Sequence, residues 1–181
     1  ATTASAQTAR VQIIHNCADA AAATVDIYVN DEITLEDVAF RTATAFLDLP
    51  AEVDLAVGIA PGNSTGPDDI IATFDYNLPD GGSFIIVANG IVSPTGYAPV
   101  QPFNLDVFPA ARESAAMSMN TDVLVVHGST DAPVVDVAET SVPAGTVVDD
   151  LAYGSFAGYL ELGTADYVLE VQTADGTPVA A

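Results

Sequence analysis

The chain has no lysine, no tryptophan, one cysteine, two histidines and three arginines among its 181 residues. Each scarcity closes off a class of function. Without lysine there is neither a Schiff-base amine nor the lysine of a phosphate-binding P-loop. Cys17 alone makes no internal disulfide. It reads either as a small residue at a strand end or as an intermolecular contact in an oxidising compartment. Three arginines against 25 acidic residues give a net charge of −22. Nucleic acids and anionic membranes both need a basic footprint, so neither is expected as a partner. Such self-repulsion is tolerated where salt screens it, since the Debye length falls to roughly 3 Å near 1 M. A saline extracellular setting and a merely acidic secreted protein both fit. No stretch reaches the ~18 apolar residues of a membrane span, and no segment carries a long 3.6-residue apolar period. The first residues, Ala1 to Thr8, are small and polar and begin without methionine. They read as a mature N-terminus after signal-peptide removal.

What the chain does have is a duplication. Val11-Gln12-Ile13-Ile14-His15-Asn16-Cys17-Ala18-Asp19-Ala20 returns as Val123-Leu124-Val125-Val126-His127-Gly128-Ser129-Thr130-Asp131-Ala132. Val25-Asp26-Ile27 returns as Val135-Asp136-Val137, and Val38-Ala39-Phe40 as Leu151-Ala152-Tyr153. Phe46-Leu47-Asp48-Leu49 returns as Tyr159-Leu160-Glu161-Leu162. The spacing drifts slightly between blocks, as loop insertions make it do. A period this long marks tandem domains, not a solenoid.

Short strands separated by Asn, Asp, Gly and Pro dominate both copies, which predicts an all-β fold of β-sandwich modules. In the first copy strands are expected at Arg10–His15, Thr24–Val29, Ile33–Leu35, Ala45–Leu49, Val53–Ile59, Ile70–Tyr76, Ser83–Asn89 and Phe103–Phe108. In the second they are expected at Asp122–His127, Val134–Ala138, Thr146–Val148, Gly158–Leu162 and Ala165–Thr173. Four segments follow: an extended tail at 1–9, a first module at 10–108, a linker at 109–121, and a second module at 122–181. The linker has alanines and a leading Pro109, and it reads as a short helix or an ordered connector. The second module lacks about three strands, which leaves an apolar face and unpaired edges. Three explanations stand open. The sequence is a fragment, the second copy leans on the first, or a neighbouring subunit donates a strand. The uncharged tail Ala1–Ala9 is the candidate donor.

The quoted blocks resemble domain-of-unknown-function family 4397: a strand ending in His, an Asp-Ala turn, and a Val-Asp-Ile/Val strand. His127, Asp131-Ala132-Pro133 and Val135-Asp136-Val137 match that turn best. The resemblance implies secreted or cell-surface modules, often in tandem, of an immunoglobulin-like or transthyretin-like sandwich. It carries no reaction.

The residues themselves advertise no catalytic centre and no cofactor site. His15 with Asp19, and His127 with Asp131, give two ligands each where zinc takes three or four. They read as a strand-end histidine bonding its turn beside an Asx-type cap. Gly154-Ser155-Phe156-Ala157-Gly158 does not match the nucleophile elbow. The pairs Asp68-Asp69 and Asp149-Asp150 are calcium candidates without EF-hand spacing. Asn63-Ser64-Thr65 is a glycosylation sequon in a loop. Phe40 with Tyr153, and Phe46 with Tyr159, are expected in or beside the cores. The expected function is therefore non-catalytic and extracellular: a structural or adhesive subunit of a surface layer, matrix or filament. Its partners would be further copies, other surface proteins or glycans. The alternative is a secreted module binding carbohydrate or another surface ligand, stabilised by calcium.

Overall fold

The computed structural model describes residues 6–142 and 145–180. The chain divides into two compact units, Ala1–Ala111 and Arg112–Ala181.

The first unit contains β1 (Thr8–His15), β2 (Thr24–Val29), β3 (Glu32–Ala39), β4 (Thr42–Ala43), β5 (Leu47–Pro50), β6 (Asp54–Pro61), β7 (Ala72–Asn77), β8 (Ser83–Asn89) and β9 (Asn104–Phe108). One sheet runs β3-β2-β6-β7, all antiparallel. In the other, β1 lies parallel to β8 and shares its opposite edge between β4 and β5. Strand β9 closes that sheet beyond β8. The residues explain the arrangement. Along β1 every second side chain (Ala9, Val11, Ile13, His15) is buried, as one face of a pleated strand requires. They meet Val25 and Ile27 of β2 and Leu55, Val57 and Ile59 of β6 in one sandwich core. Strand β8 differs: Phe84 to Asn89 are all buried, as expected of a strand covered on both faces.

The second unit contains β10 (Asn120–Val126), β11 (Val135–Glu139), β12 (Gly145–Leu151), β13 (Phe156–Gly163), β14 (Leu169–Gln172) and β15 (Pro178–Ala180). The β10–β13 ladder repeats the β1–β5 ladder. The sheet β12-β11-β14-β15 repeats the order β3-β2-β6-β7. Among the described residues, no strand takes the places of β8 and β9.

Three sequence expectations need correction. First, among the described residues two strands of the first unit, β8 and β9, lack a counterpart in the second, not three, because β15 stands beside β14 as β7 stands beside β6. Three residues beginning with proline are too short a run to register as a strand, although proline is tolerated at a strand start. Second, the tail is not free through Ala9. Thr8 and Ala9 pair with Pro50 and Leu49, and the Gln7 carbonyl accepts the Ala51 N–H at 3.1 Å. Small side chains hid the start of β1. Residues 1–5, the rest of the proposed donor, lie outside the described residues. Third, the linker is not helical; it runs through bends and a turn. Its donors bond outward: Arg112 N–H to the Tyr159 hydroxyl at 2.9 Å, and Ala116 N–H to Asp122 Oδ2 at 2.9 Å. Those donors are lost to an i→i−4 ladder.

Candidate functional site

Each predicted histidine closes its first strand in the same way. His15 Nε2 lies 2.7 Å from the Ala22 carbonyl, and His15 Nδ1 accepts the Cys17 N–H at 3.3 Å. His127 repeats this with the Pro133 carbonyl at 2.8 Å and the Ser129 N–H at 3.3 Å. The partners assign the Nε2–H tautomer to both rings. Phe40 stands edge-on to His15 at 6.1 Å, and Tyr153 to His127 at 6.0 Å. With both nitrogens engaged, neither histidine offers a lone pair to a metal or a substrate. Burial pushes the His15 pKa below its ordinary value, more than the Ala22 carbonyl raises it. Stability owed to the neutral ring is therefore complete above about pH 6.5. It falls as the pH drops below that value, because the unfolded chain takes the proton more readily. Thermal melts from pH 7.5 to 5 should show a steeper loss for the native chain than for His15→Gln. Parallel slopes would mean the ring is not held neutral.

The aspartates of the two turns part company. Asp19 is 2% exposed and accepts five hydrogen bonds. Oδ1 takes Ala21 N–H (2.9 Å), the Ser93 hydroxyl (2.9 Å) and the Tyr97 hydroxyl (3.2 Å). Oδ2 takes Val92 N–H (3.1 Å) and Ser93 N–H (2.6 Å). Burial opposes the charge, but the donors from Ala21, Ser93 and Tyr97 outweigh it and hold the carboxyl below its ordinary range. Asp131 is exposed and accepts the Ser129 hydroxyl at 3.0 Å. Neither aspartate bonds its histidine, so no His–Asp dyad forms at either turn.

Cys17 is fully buried, which corrects its reading as an intermolecular contact. Burial also pushes its thiol pKa up, away from the reactive thiolate. Asn63 is exposed in the turn after β6, where its sequon is accessible.

The calcium candidates divide. Asp68 and Asp69 sit in a short 3-10 turn, Pro67–Asp69, and Asp69 Oδ2 is engaged by the N–H and hydroxyl of Thr65. Those two donors hold the Asp69 carboxyl below its ordinary range. Asp149 and Asp150 gather with Asp136, the three carboxylates offering oxygens within 4.8 Å of one another. Three such oxygens fall short of the roughly six to eight that calcium takes. Asp136 has a structural task as well. It accepts the Asp150 N–H at 2.8 Å, as Asp26 accepts the Asp37 N–H at 2.9 Å. Asp37 and Asp150 both have positive φ, at register shifts between paired strands. The buried aspartate thus clamps a β-bulge in both units. In the first unit the Ser64 hydroxyl also donates to Asp26 Oδ2 at 2.6 Å. The sequence reading passes over Asp26 and Asp136. The signal was a carboxylate in mid-strand between two β-branched residues, twice.

Phe46 and Tyr159 serve as platforms for arginine more than as core. The Arg10 guanidinium lies 5.7 Å from the Phe46 ring and bonds Asp48 at 3.2 Å. In the second unit Asp122 replaces Arg10. The guanidinium now comes from Arg112, 4.7 Å from the Tyr159 ring, bonding Asp122 at 2.6 Å and Glu161 at 2.7 Å. Asp122 Oδ1 remains buried without a partner.

The core of the first unit holds a small apolar cavity of about 20 Å³, lined by Ile13, Val25, Ile27, Val57, Ile86 and their neighbours. It has room for about one water-sized sphere; His15 and Thr34 stand among its lining but turn no polar surface toward it, so it is a packing void. The larger opening is an edge. β1 is paired on both sides, but β10 is paired with β13 alone among the described residues. Val123 and Val125 are half-buried, where Val11 and Ile13 are 0% and 6% exposed. The buried cluster of the second unit is correspondingly small: Val135, Val137, Val148 and Leu151.

The histidine turn at His15 and the Val25-Asp26-Ile27 strand both lie within a stretch that a family profile matches. The profile described as "Domain of unknown function (DUF4397)" matches residues 6–120. The chain belongs to this family. The match spans β1 to β9 and the connector that follows, and β11 to β15 lie beyond it. No curated protein matches the chain. Among the described residues no helix is long and apolar enough to cross a membrane.

Proposed function

We propose that this protein is a non-catalytic extracellular structural or adhesive subunit that assembles through its second unit. The observation that carries this reading is the edge of β10, unpaired among the described residues, beside a core of four buried residues. An unpaired, apolar sheet edge is a template for another chain unless it is blunted by charge, proline or a cover. Along β10 the run Val123-Leu124-Val125-Val126 has neither charge nor proline. The histidines and Asp19 support the same reading, because their polar atoms are spent on the fold. High net charge accords with it too: a surface of net −22 resists indiscriminate clumping and leaves association to specific edges. Light scattering across a concentration series, with negative-stain microscopy, tests it. Ordered oligomers or filaments that grow with concentration are expected. A strict monomer at millimolar concentration would remove the reading.

A further inference from the structure

One end of the first sandwich exposes a cation and no carboxylate, in a chain of 25 acidic residues. We propose that this end, where the β1–β2, β3–β4 and β8–β9 connections meet around Arg41, docks a carboxylate-bearing surface of a second copy of this chain. This rests on the reading of the protein as a self-assembling subunit and adds to it a contact on the first unit.

Three observations converge. The first is the guanidinium. Arg10 and Arg112 both bond carboxylates, whereas Arg41 forms no ion pair among the described residues. It is exposed and lies 5.3 Å from the Phe40 ring, which restricts where it points. The second is its backbone. Arg41 has φ +65° and donates its N–H to the His15 carbonyl at 2.8 Å. Gly154 holds the equivalent place in the second unit, with φ +74° and a 2.8 Å bond to the His127 carbonyl. Glycine takes this conformation freely and arginine only at a cost. The first unit bears that cost at a turn where glycine suffices, which points to a use of the side chain beyond the turn. The third is the surface around it. Phe40 N–H bonds the Ala23 carbonyl at 2.9 Å, and Ala20 N–H bonds the Tyr97 hydroxyl at 3.0 Å, so the three connections are tied together. Residues 11–25, 38–47 and 81–105 carry a single carboxylate, Asp19, which is 2% exposed. Ala20, Ala21, Ala43, Pro94, Pro99 and Val100 face water there. Alanine and proline lose almost no side-chain freedom on burial, which lowers the cost of docking. The partner follows from charge. A second copy, itself at net −22, meets like charge over the acidic surface but an unpaired guanidinium here. The contact joins unlike surfaces, so it can extend from copy to copy.

Sedimentation equilibrium of the full chain, in salt that screens its net charge, tests the contact. Arg41→Gly reproduces Gly154 and keeps the turn, so its thermal melt should match that of the native chain. Its self-association should be weaker by about threefold or more, and that of Arg41→Glu by about tenfold or more. Arg41→Lys, which keeps the charge without the planar fork, should fall between the native chain and Arg41→Gly. In the ¹⁵N-labelled native chain, amide shifts that grow with concentration are expected at Ala20–Ala23, Thr42–Ala43 and Thr95–Ala98. If Arg41→Glu associates as the native chain does, with the shifts confined to β10 and β13, this contact is wrong and the proposed function stands. A native chain that stays monomeric removes both. A monomeric chain that binds alginate, and loses it in Arg41→Glu, replaces the second copy by an anionic glycan and overturns the inference.

Discussion

Replacing Asp19 by alanine is expected to destabilise the first unit by about 3–5 kcal/mol, while Asp131→Ala costs under about 0.5 kcal/mol. The two positions are equivalent in sequence, so the difference isolates what tertiary structure adds. Asp19→Ala strands the N–H groups of Ala21, Val92 and Ser93 and two hydroxyls, all around a site 2% exposed. Each unsatisfied buried donor costs roughly 1–3 kcal/mol, and partial access of water lowers the sum. Asp131 leaves one exposed Ser129 hydroxyl, which water satisfies. Urea denaturation, followed by NMR signals assigned to each unit, measures both. Equal losses at the two positions would contradict the clamp. The acid limb adds a second reading. The Asp19 carboxyl titrates below its ordinary range when folded, so its contribution is complete above about pH 4 and is lost as the pH falls further. The native chain should lose stability in that window more steeply than Asp19→Ala.

Gly90→Ala is expected to cost about 3 kcal/mol or more, against about 1–2 kcal/mol for Gly158→Ala. Both glycines have positive φ, +88° and +79°. The surroundings decide between them. A Cβ on Gly90 would stand 2.3 Å from the Pro102 carbonyl oxygen and 2.8 Å from the Phe103 Cα, whereas one on Gly158 meets nothing within 4 Å. The Pro102 segment cannot retreat cheaply. It is pinned to the chain beside Gly90 by Ile91 N–H to Gln101 O at 2.8 Å and Phe103 N–H to Ile91 O at 3.2 Å. Gly90 therefore permits the close return of the 91–103 loop, whose Val92 and Ser93 bind Asp19. Selective unfolding of the first unit by Gly90→Ala, seen by the same NMR signals, is the expected result. A loss equal to that of Gly158→Ala would show that the loop yields.

Much of this was legible in advance where the physics is local. Thr24–Val29 and Ser83–Asn89 were bounded correctly, because alternation or continuous apolarity between turn residues reports directly on burial. The strand-end histidines were legible because the same turn appears twice. The start of β1 and the three residues of β15 were not, since alanine, threonine and proline carry little strand signal. The linker left helix and ordered connector open because propensity does not see donors taken by Asp122 and Tyr159.

The sequence by itself determined an all-β duplicated chain of family 4397 type, strongly acidic, with histidine turns that carry no catalytic pattern. Only the tertiary structure decided that Asp19 clamps a loop some seventy residues away while Asp131 clamps nothing, that Cys17 is sealed, and that Asp26 and Asp136 hold bulges. It also separated two strands of nearly the same pattern: among the described residues β1 is paired on both sides and β10 on one. The reason is physical. Alternation is written into neighbouring residues, but whether a carboxylate is buried or a strand edge is filled depends on groups far along the chain.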